Sequence, residues 1–472
     1  MTLCDPLNDE VLSMNIFKCI NEYSEKYKHK VALSDGDRNI SFSELQHLIW
    51  HNVEVLRREG YCSGNNIILK NDGQLEYIVM FLSLLALECW VIPISNEVTE
   101  SELENIQIQT DGIIVDNYPI KNIVSSVKHE LIVDEEKCGI LHMTSGSTGI
   151  PKFCVRTLKA LEYEGESYII TFTLKEQDIV LSGAPLHHSY ALGGAIFPAL
   201  MSGASLYTIN KFTPRQVLRM IEQFRVTYIL LVPIMAKMLC DVYSLRKIDT
   251  ASLRVALVGA GSINGELFEK FYSIYNIYLM SNYGSTETGA LVSRLDSVHY
   301  NSIGKVMNDI LIRVCDEEGK EVPNGEIGEI FVKSKGMFER YYKTIETPFD
   351  GNGFFPMGDL GIRDEEGNFY LKGRKKLLIN VGGKKVNPIE VEKAILEIDG
   401  VKDCAVVGVK RGDNEIIKAY IVSDFLTKKD VLQSCKDKMS SHKVPNIIEF
   451  VDQIPKNVMG KININLLTNK KK

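Results

Sequence analysis

The 472-residue chain is 45% hydrophobic and 24% charged, a globular composition that excludes disordered, collagen-like and coiled-coil chains. Its 54 basic and 61 acidic residues leave a net charge of −7, without the broad basic face of a dedicated nucleic-acid binder. Ten cysteines, none in a CxxC pair, predict reduced thiols in a cytoplasmic protein.

The first residues carry Asp5, Asp9 and Glu10 and no basic stretch ahead of an apolar core, so no signal peptide is expected. Between Ser41 and Asn210 short apolar runs alternate with amphipathic segments. Residues 77–94 are almost long enough to span a bilayer. Glu88, Pro93 and the lack of basic flanks instead predict a buried helix running into a strand. Residues 137–143 are strand-like.

The β/α alternation is clearest between 215 and 282. A helix is predicted over 214–224, with Val217, Leu218, Ile221 and Phe224 at helical spacing. A strand over 226–232 closes at Pro233, and a helix follows over 234–243. A strand over 253–258 ends at Gly259-Ala260-Gly261, and the next helix covers 263–274. Buried strands separated by helices predict an α/β fold with a largely parallel sheet.

After about residue 304 the pattern changes. Short strands at 329–332 and 369–371 flank a hairpin turn at 364–368. A helix over 388–398 has Pro388 at its start and Gly400 just past its end. Strands over 405–409 and 416–422 and a helix over 428–439 complete a separate α+β unit. The predicted architecture is a large N-terminal domain, residues 1–375, of parallel-sheet α/β subdomains plus a β-rich subdomain. A small α+β C-terminal domain, residues 376–472, follows.

The strand at 137–143 leads into Thr144-Ser145-Gly146-Ser147-Thr148-Gly149-Ile150-Pro151-Lys152. Glycines let backbone N–H groups approach phosphate oxygens, hydroxyls add donors, and the lysine adds charge. It is not a Walker loop, because Pro151 precedes Lys152 and Phe153 follows it. Taken alone, the segment reads either as a phosphate cradle or as a Ser/Gly surface loop.

Thr144 to Lys152 resembles the phosphate loop of the adenylate-forming superfamily, which includes acyl- and aryl-CoA synthetases, adenylation domains and luciferases. Further motifs follow that family's order. Ser41-Phe42-Ser43-Glu44-Leu45 resembles its early segment. Asn282-Tyr283-Gly284-Ser285-Thr286-Glu287 resembles its adenine and magnesium motif. Gly358-Asp359-Leu360 resembles its ribose motif, with Met357 where a hydroxyl residue is usual. Gly373-Arg374-Lys375-Lys376 resembles its hinge, and Pro455 to Lys461 its lysine loop.

The resemblance implies a two-step ligase that joins a carboxylate to AMP, releases pyrophosphate, and passes the acyl group to a thiol. It implies ATP, Mg2+ and the thiol of CoA or of a carrier protein's phosphopantetheine. Lys461 would bridge the acid and the α-phosphate, where a cation stabilises the developing charge. Glu287 would bind Mg2+ and Thr286 the α-phosphate. Asp359 would accept from the ribose hydroxyls, with Arg374 assisting. Tyr283 would stack on adenine against Gly259, Ala260 and Gly261. The small domain would be mobile about Lys376, and Gly382 and Gly383 would line the thiol tunnel.

Pro185 to Leu192 resembles the acid-binding segment of aryl and acyl ligases. His188 would lie near the acid, and His187 would pack. Ser189 stands where α-amino-acid enzymes carry an Asp. An ammonium buried there would lack a partner, so an α-amino acid substrate is not expected. Gly193 and Gly194 are expected to open the pocket, with Leu231, Asn282, Ala290 and Leu291 as walls. Ser189, Tyr190 and Asn282 could bond a substrate hydroxyl, which favours an aryl or medium acyl acid. With no carrier domain after Lys461, the thiol is expected in trans. No nucleic-acid or membrane-spanning role is expected. The alternatives are a catalytically degenerate nucleotide-binding homologue and luciferase-like oxidation of the adenylate.

Overall fold

Ser41 and Glu44 set the start of helix Phe42–Arg58 through a capping box. The Ser41 hydroxyl accepts from the Glu44 N–H, and the Glu44 carboxylate accepts from the Ser41 N–H. This gives the early family-like segment a local structural reason. The computed structural model describes residues 14–71, 74–115, 130–144, 151–243, 248–261, 263–295, 299, 301–382, 384–411, 414–455 and 462.

The apolar stretch at 77–94 falls in the buried helix Gln74–Ala86 and the strand Trp90–Ser95. Among the described residues no helix is long and apolar enough to cross a membrane. Helix Pro214–Phe224 matches its predicted ends, with Pro214 in its first turn and Val217, Leu218 and Ile221 buried. Strand Tyr228–Leu231, helix Pro233–Tyr243, strand Val255–Gly259 and helix Gly265–Tyr275 follow.

These strands join a nine-stranded sheet. Its spatial order runs Lys305–Val306, Gly289–Ser293, Leu279–Ser285, Val255–Gly259, Tyr228–Leu231, Ile179–Ser182, Ser205–Thr208, Val31–Ser34, Asn39–Ser41. The six strands from Leu279–Ser285 to Val31–Ser34 are parallel, and antiparallel pairs close both edges. A six-stranded sheet runs Arg340–Tyr341, Lys152–Thr157, Gly139–Thr144, Trp90–Ser95, Asn66–Asn71, Ile113–Val115. Its strand Lys152–Thr157 is antiparallel to both neighbours.

Ile310–Cys315, Gly328–Ser334, Phe355–Arg363 and Phe369–Arg374 form a four-stranded sheet. Hairpin Ile379–Val381/Lys384–Val386, helix Pro388–Leu396, the long pair Asp403–Arg411/Asn414–Val422, helix Lys428–Lys438 and strand Ile447–Phe450 form the α+β C-terminal region among the described residues. Ile379, Val391, Ile395, Ile417, Val431 and Ile448 meet in its core. All nine described cysteines are free thiols.

The chain divides into two compact units. The first is Met1–Tyr300, Gly304–Leu311 and Lys333–Pro348; the second is Asn301–Ile303, Ile312–Val332 and Phe349–Lys472. Most of the four-stranded sheet thus groups with the C-terminal α+β elements.

Candidate active site

In the first unit, strands Gly139–Thr144 and Lys152–Thr157 form a hairpin in which Thr144 faces Lys152. The Thr144 hydroxyl donates to the Lys152 carbonyl at 3.3 Å. Ser145, Gly146, Ser147, Thr148 and Gly149, between them, lie outside the described residues. The Lys152 ammonium sits 4.8 Å from the centre of the Tyr341 ring. Tyr341 is on a short strand paired with Lys152–Thr157, opposite Cys154. Its hydroxyl donates to Glu287 Oε1 at 3.1 Å.

Glu287 and Thr286, both half-buried, occupy the turn between strands Leu279–Ser285 and Gly289–Ser293. The Phe338 N–H donates to the Glu287 carbonyl at 2.8 Å, so backbone and side chain hold this turn to one segment. Burial pushes the Tyr341 hydroxyl well above the usual tyrosine range, and the neighbouring Glu287 charge adds to it. The phenol stays protonated and donates. Sequence reading missed Tyr341, whose only local signal is its place in an aromatic run 54 positions from its partner.

Tyr283, half-buried, precedes Gly284 at a β-bulge, and a Cβ on Gly284 would fall 2.0 Å from the Gly289 carbonyl oxygen. Only glycine permits that backbone crossing. A Cβ on Gly259 would lie 2.6 Å from the Tyr190 ring, and one on Gly261 would lie 2.9 Å from Pro233. Ala260 between them has a φ of 61°. The chain's own side chains therefore account for the two glycines of this segment.

His188 precedes the short helix Ser189–Ala191, which continues through a π-helical turn, Leu192–Ile196, into helix Phe197–Ser202. Such wide turns are frequent at functional sites. His188 and Ser189 are half-buried. The His187 and His188 rings lie 4.4 Å apart. The His187 carbonyl accepts from His142 Nε2 at 2.9 Å. Burial first, and then the charge on His188, pull both His142 and His187 down to about 3, so both are neutral. Sequence reading also missed His142, a polar residue in an otherwise apolar strand just before the phosphate loop.

The residues expected at the acid pocket meet several groups of the protein itself. A Cβ on Gly193 would fall 2.2 Å from the Glu164 carboxyl carbon, and one on Gly194 would meet Tyr168 and Leu230 at 3.2 Å. The missing side chains of these glycines leave room for buried side chains of the protein. Tyr190 donates to the Leu257 carbonyl at 3.2 Å, and Asn282 Oδ1 accepts from the Tyr168 hydroxyl at 2.8 Å. Asn282 Nδ2 faces Met307 Sδ at 3.6 Å. Tyr190 and the Asn282 oxygen each make one hydrogen bond within the fold. Leu231 is fully buried in the helix–sheet core with Leu181, Ile229 and Val258. Leu291 is fully buried, and the Ala290 N–H donates to Glu164 Oε1 at 2.9 Å.

The second unit holds the other group of predicted residues. Asp359 and Arg374 are cross-strand partners, and Arg374 Nε donates to Asp359 Oδ1 at 2.7 Å. The Asp359 side chain is 7% exposed and that of Arg374 56%. Lys375 pairs with Glu329 at 2.6 Å, while Lys376 is exposed in a single helical turn. Gly382 turns hairpin Ile379–Val381/Lys384–Val386 with a φ of +56°, and a Cβ there would meet nothing within 4 Å. Gly383 and Lys461 lie outside the described residues.

Residues 110–342 match the family model described as AMP-binding enzyme, and residues 390–461 match its C-terminal domain. The chain belongs to the AMP-binding enzyme family. It is an adenylate-forming enzyme of the acyl- and aryl-CoA ligase type, an AMP-forming acid–thiol ligase. It is 26% identical over 464 residues to feruloyl-CoA synthase of an Amycolatopsis species, covering 92% of this chain and 94% of that one. Identity to long-chain-fatty-acid–CoA ligase FadD13 of Mycobacterium tuberculosis is 26% over 465 residues, 90% of this chain and 92% of that one. The fold matches ATP-bound MatB from Rhodopseudomonas palustris with a TM-score of 0.85, at 24% identity, over 96% of this chain and 99% of that one.

Proposed function

We propose that this enzyme adenylates an aryl or medium acyl acid with ATP and Mg2+. It then passes the acyl group to a pantetheine thiol, that of CoA or of a carrier protein in trans. The observation that carries this reading is the contact of the Tyr341 hydroxyl with Glu287 beside Lys152 at the foot of the phosphate loop. It gathers a carboxylate and a cation where the two strands flanking the phosphate loop meet, a setting suited to a triphosphate.

Among the described residues no three His, Cys, Asp or Glu side chains gather to hold a metal. One half-buried carboxylate fits Mg2+, which binds readily through a single protein oxygen while phosphate and water supply the rest. Glu287 would hold it, and the ion would neutralise phosphate charge. Thr286, Lys152 and the loop 144–149 would orient the phosphates. Tyr283 would stack on adenine. Asp359, already oriented by Arg374, would accept from the ribose hydroxyls. Lys461 would lie between the acid and the α-phosphate.

We place the hinge at Lys376, between an N-terminal domain of residues 1–375 and a lid of residues 376–472. Rotation would bring Lys461 in for adenylation and withdraw it for thiol attack. The exposed, unobstructed turn at Gly382, with Gly383, suits passage of a thin thiol arm. The free described thiols support a reducing, cytoplasmic setting.

The named relatives act on an aryl acid and on long-chain fatty acids, which leaves both classes in view. With Tyr190 and Asn282 bonded to Leu257 and Tyr168, the half-buried His188 and Ser189 would meet the acid. Neither is a carboxylate for an α-ammonium.

The test is acid-dependent pyrophosphate exchange over aryl, fatty and amino acids, with Lys461→Ala as the diagnostic variant. Lys461→Ala should lose exchange yet still form thioester from presynthesised acyl-AMP. Equal loss of both half-reactions would sink the two-position reading, and a strong signal with an α-amino acid would overturn the reading of Ser189.

A further inference from the structure

Two of the charges assigned above to the phosphate site meet on one ring. The Lys152 ammonium faces the Tyr341 ring at 4.8 Å, and the Tyr341 hydroxyl donates to Glu287 Oε1 at 3.1 Å. We propose that Tyr341 is a positioning residue, which sets the Glu287 carboxylate and the Lys152 ammonium at the phosphate site and so controls how strongly Mg2+ tightens ATP binding. This rests on the reading of Glu287 as the Mg2+ ligand.

Glu287 lies at a hairpin turn, where an unrestrained Glu samples many rotamers. A hydrogen bond to one carboxylate oxygen restricts that freedom and leaves the other oxygen for a cation, as partners behind a metal ligand commonly do. The donor must itself be rigid. Tyr341 has few torsions, and its ring packs edge-on against Phe338 at 4.9 Å. Its backbone pairs with the strand that begins at Lys152, and the Phe338 N–H holds the Glu287 carbonyl. The ring face attracts the lysine by its quadrupole while the hydroxyl edge holds the carboxylate. One side chain, 54 positions from Glu287, therefore ties the strand leaving the phosphate loop to the metal-site turn.

Tyr341→Phe keeps the ring, its packing against Phe338 and its face toward Lys152, and removes only the donor. Calorimetric titration of the full-length enzyme with ATP, with and without Mg2+, gives a readout independent of turnover. In Tyr341→Phe the Mg2+-dependent gain in ATP affinity should fall about tenfold, the lower end of the usual loss when a partner of a metal ligand is removed. Metal-free ATP affinity and melting temperature should fall far less than the Mg2+-dependent gain. Glu287→Gln, run beside it, should lose the Mg2+ gain outright. If Glu287→Gln loses the gain and Tyr341→Phe keeps it, the role of Tyr341 is overturned while that of Glu287 stands. If both keep it, the reading of Glu287 fails and takes the proposal with it. If Tyr341→Phe loses metal-free binding and melting temperature together, the residue is structural and the proposal is overturned.

Discussion

Arg156 and Glu164 form an ion pair sealed from solvent, with Arg156 Nη2 2.7 Å from Glu164 Oε2 and side-chain exposures of 0% and 3%. The pair ties four segments together. Arg156 belongs to the strand that leaves the phosphate loop and also donates to the Gly336 carbonyl at 2.5 Å. Glu164 belongs to helix Leu158–Phe172 and accepts from the Ala290 N–H beside the Glu287 turn. Gly193 and Gly289 both lack side chains where the Glu164 carboxyl lies.

Removing one partner of a buried pair strands the other charge, so Glu164→Ala should cost about 3–5 kcal/mol. Trp50 and Trp90 are the chain's two tryptophans and both lie in the first unit. Their fluorescence during urea unfolding reads that cost directly. An unchanged midpoint would show that the pair contributes nothing net.

The same carboxylate makes Gly193 the least tolerant of the predicted pocket residues. A Cβ would lie 2.2 Å from a group that is pinned on both oxygens and has no solvent to move into. Gly193→Ala should destabilise the first unit by about 1–3 kcal/mol, as overpacking usually does, and lower activity with every acid alike. A selective change in acid preference, with stability intact, would show that Gly193 lines the substrate pocket.

Gly382 offers the opposite case. Its surroundings are open, and only its positive φ resists a side chain. Gly382→Leu should cost about 1–2 kcal/mol locally. Thioester formation should be blocked while pyrophosphate exchange is retained. Gly382→Asn, which tolerates that φ better, separates strain from obstruction: it should recover stability while still slowing the thiol step. Loss of exchange in a folded Gly382→Leu enzyme would remove Gly382 from the thiol path.

His142 predicts a pH effect on stability. Its value falls from an ordinary 6.5 to about 3 because the ring is buried. Between those limits the unfolded chain takes up a proton that the folded chain refuses. Stability from this group is therefore complete above about pH 6.5 and is lost as pH falls toward 3. Glu162, pushed up to about 9 by burial, acts in the other sense: its contribution is complete below about 4.5 and is lost as pH rises toward 9. His142→Gln keeps a donor for the His187 carbonyl and removes the titration. Its stability curve between about pH 6 and 4 should be shallower than that of the wild type by up to about 1.4 kcal/mol per pH unit. Equal slopes would mean that His142 is protonated in the folded enzyme.

The sequence by itself determined the elements and the order of the chemistry. Pro214 and the apolar spacing behind it bounded a helix, because torsional restriction and a 3.6-residue repeat are local properties. The capping box of Ser41 and Glu44 is equally local, but that segment was read only through its family resemblance. The phosphate loop, Glu287, Asp359 and Lys461 were legible as motifs because each is a short run of residue types.

Only the tertiary structure decided what stands against those motifs. Tyr341 reaches Glu287 across 54 positions, Glu164 reaches Ala290 across 126, and Tyr168 reaches Asn282 across 114. No periodicity encodes such meetings, because they depend on which strands become neighbours. Gly193 and Gly194 looked like an opening in the acid pocket, since a sequence shows that a side chain is missing but not what fills the space. Packing sets Glu164 and Tyr168 against those glycines, because a buried ion pair and a buried phenol each need their own volume and their own hydrogen-bond partners.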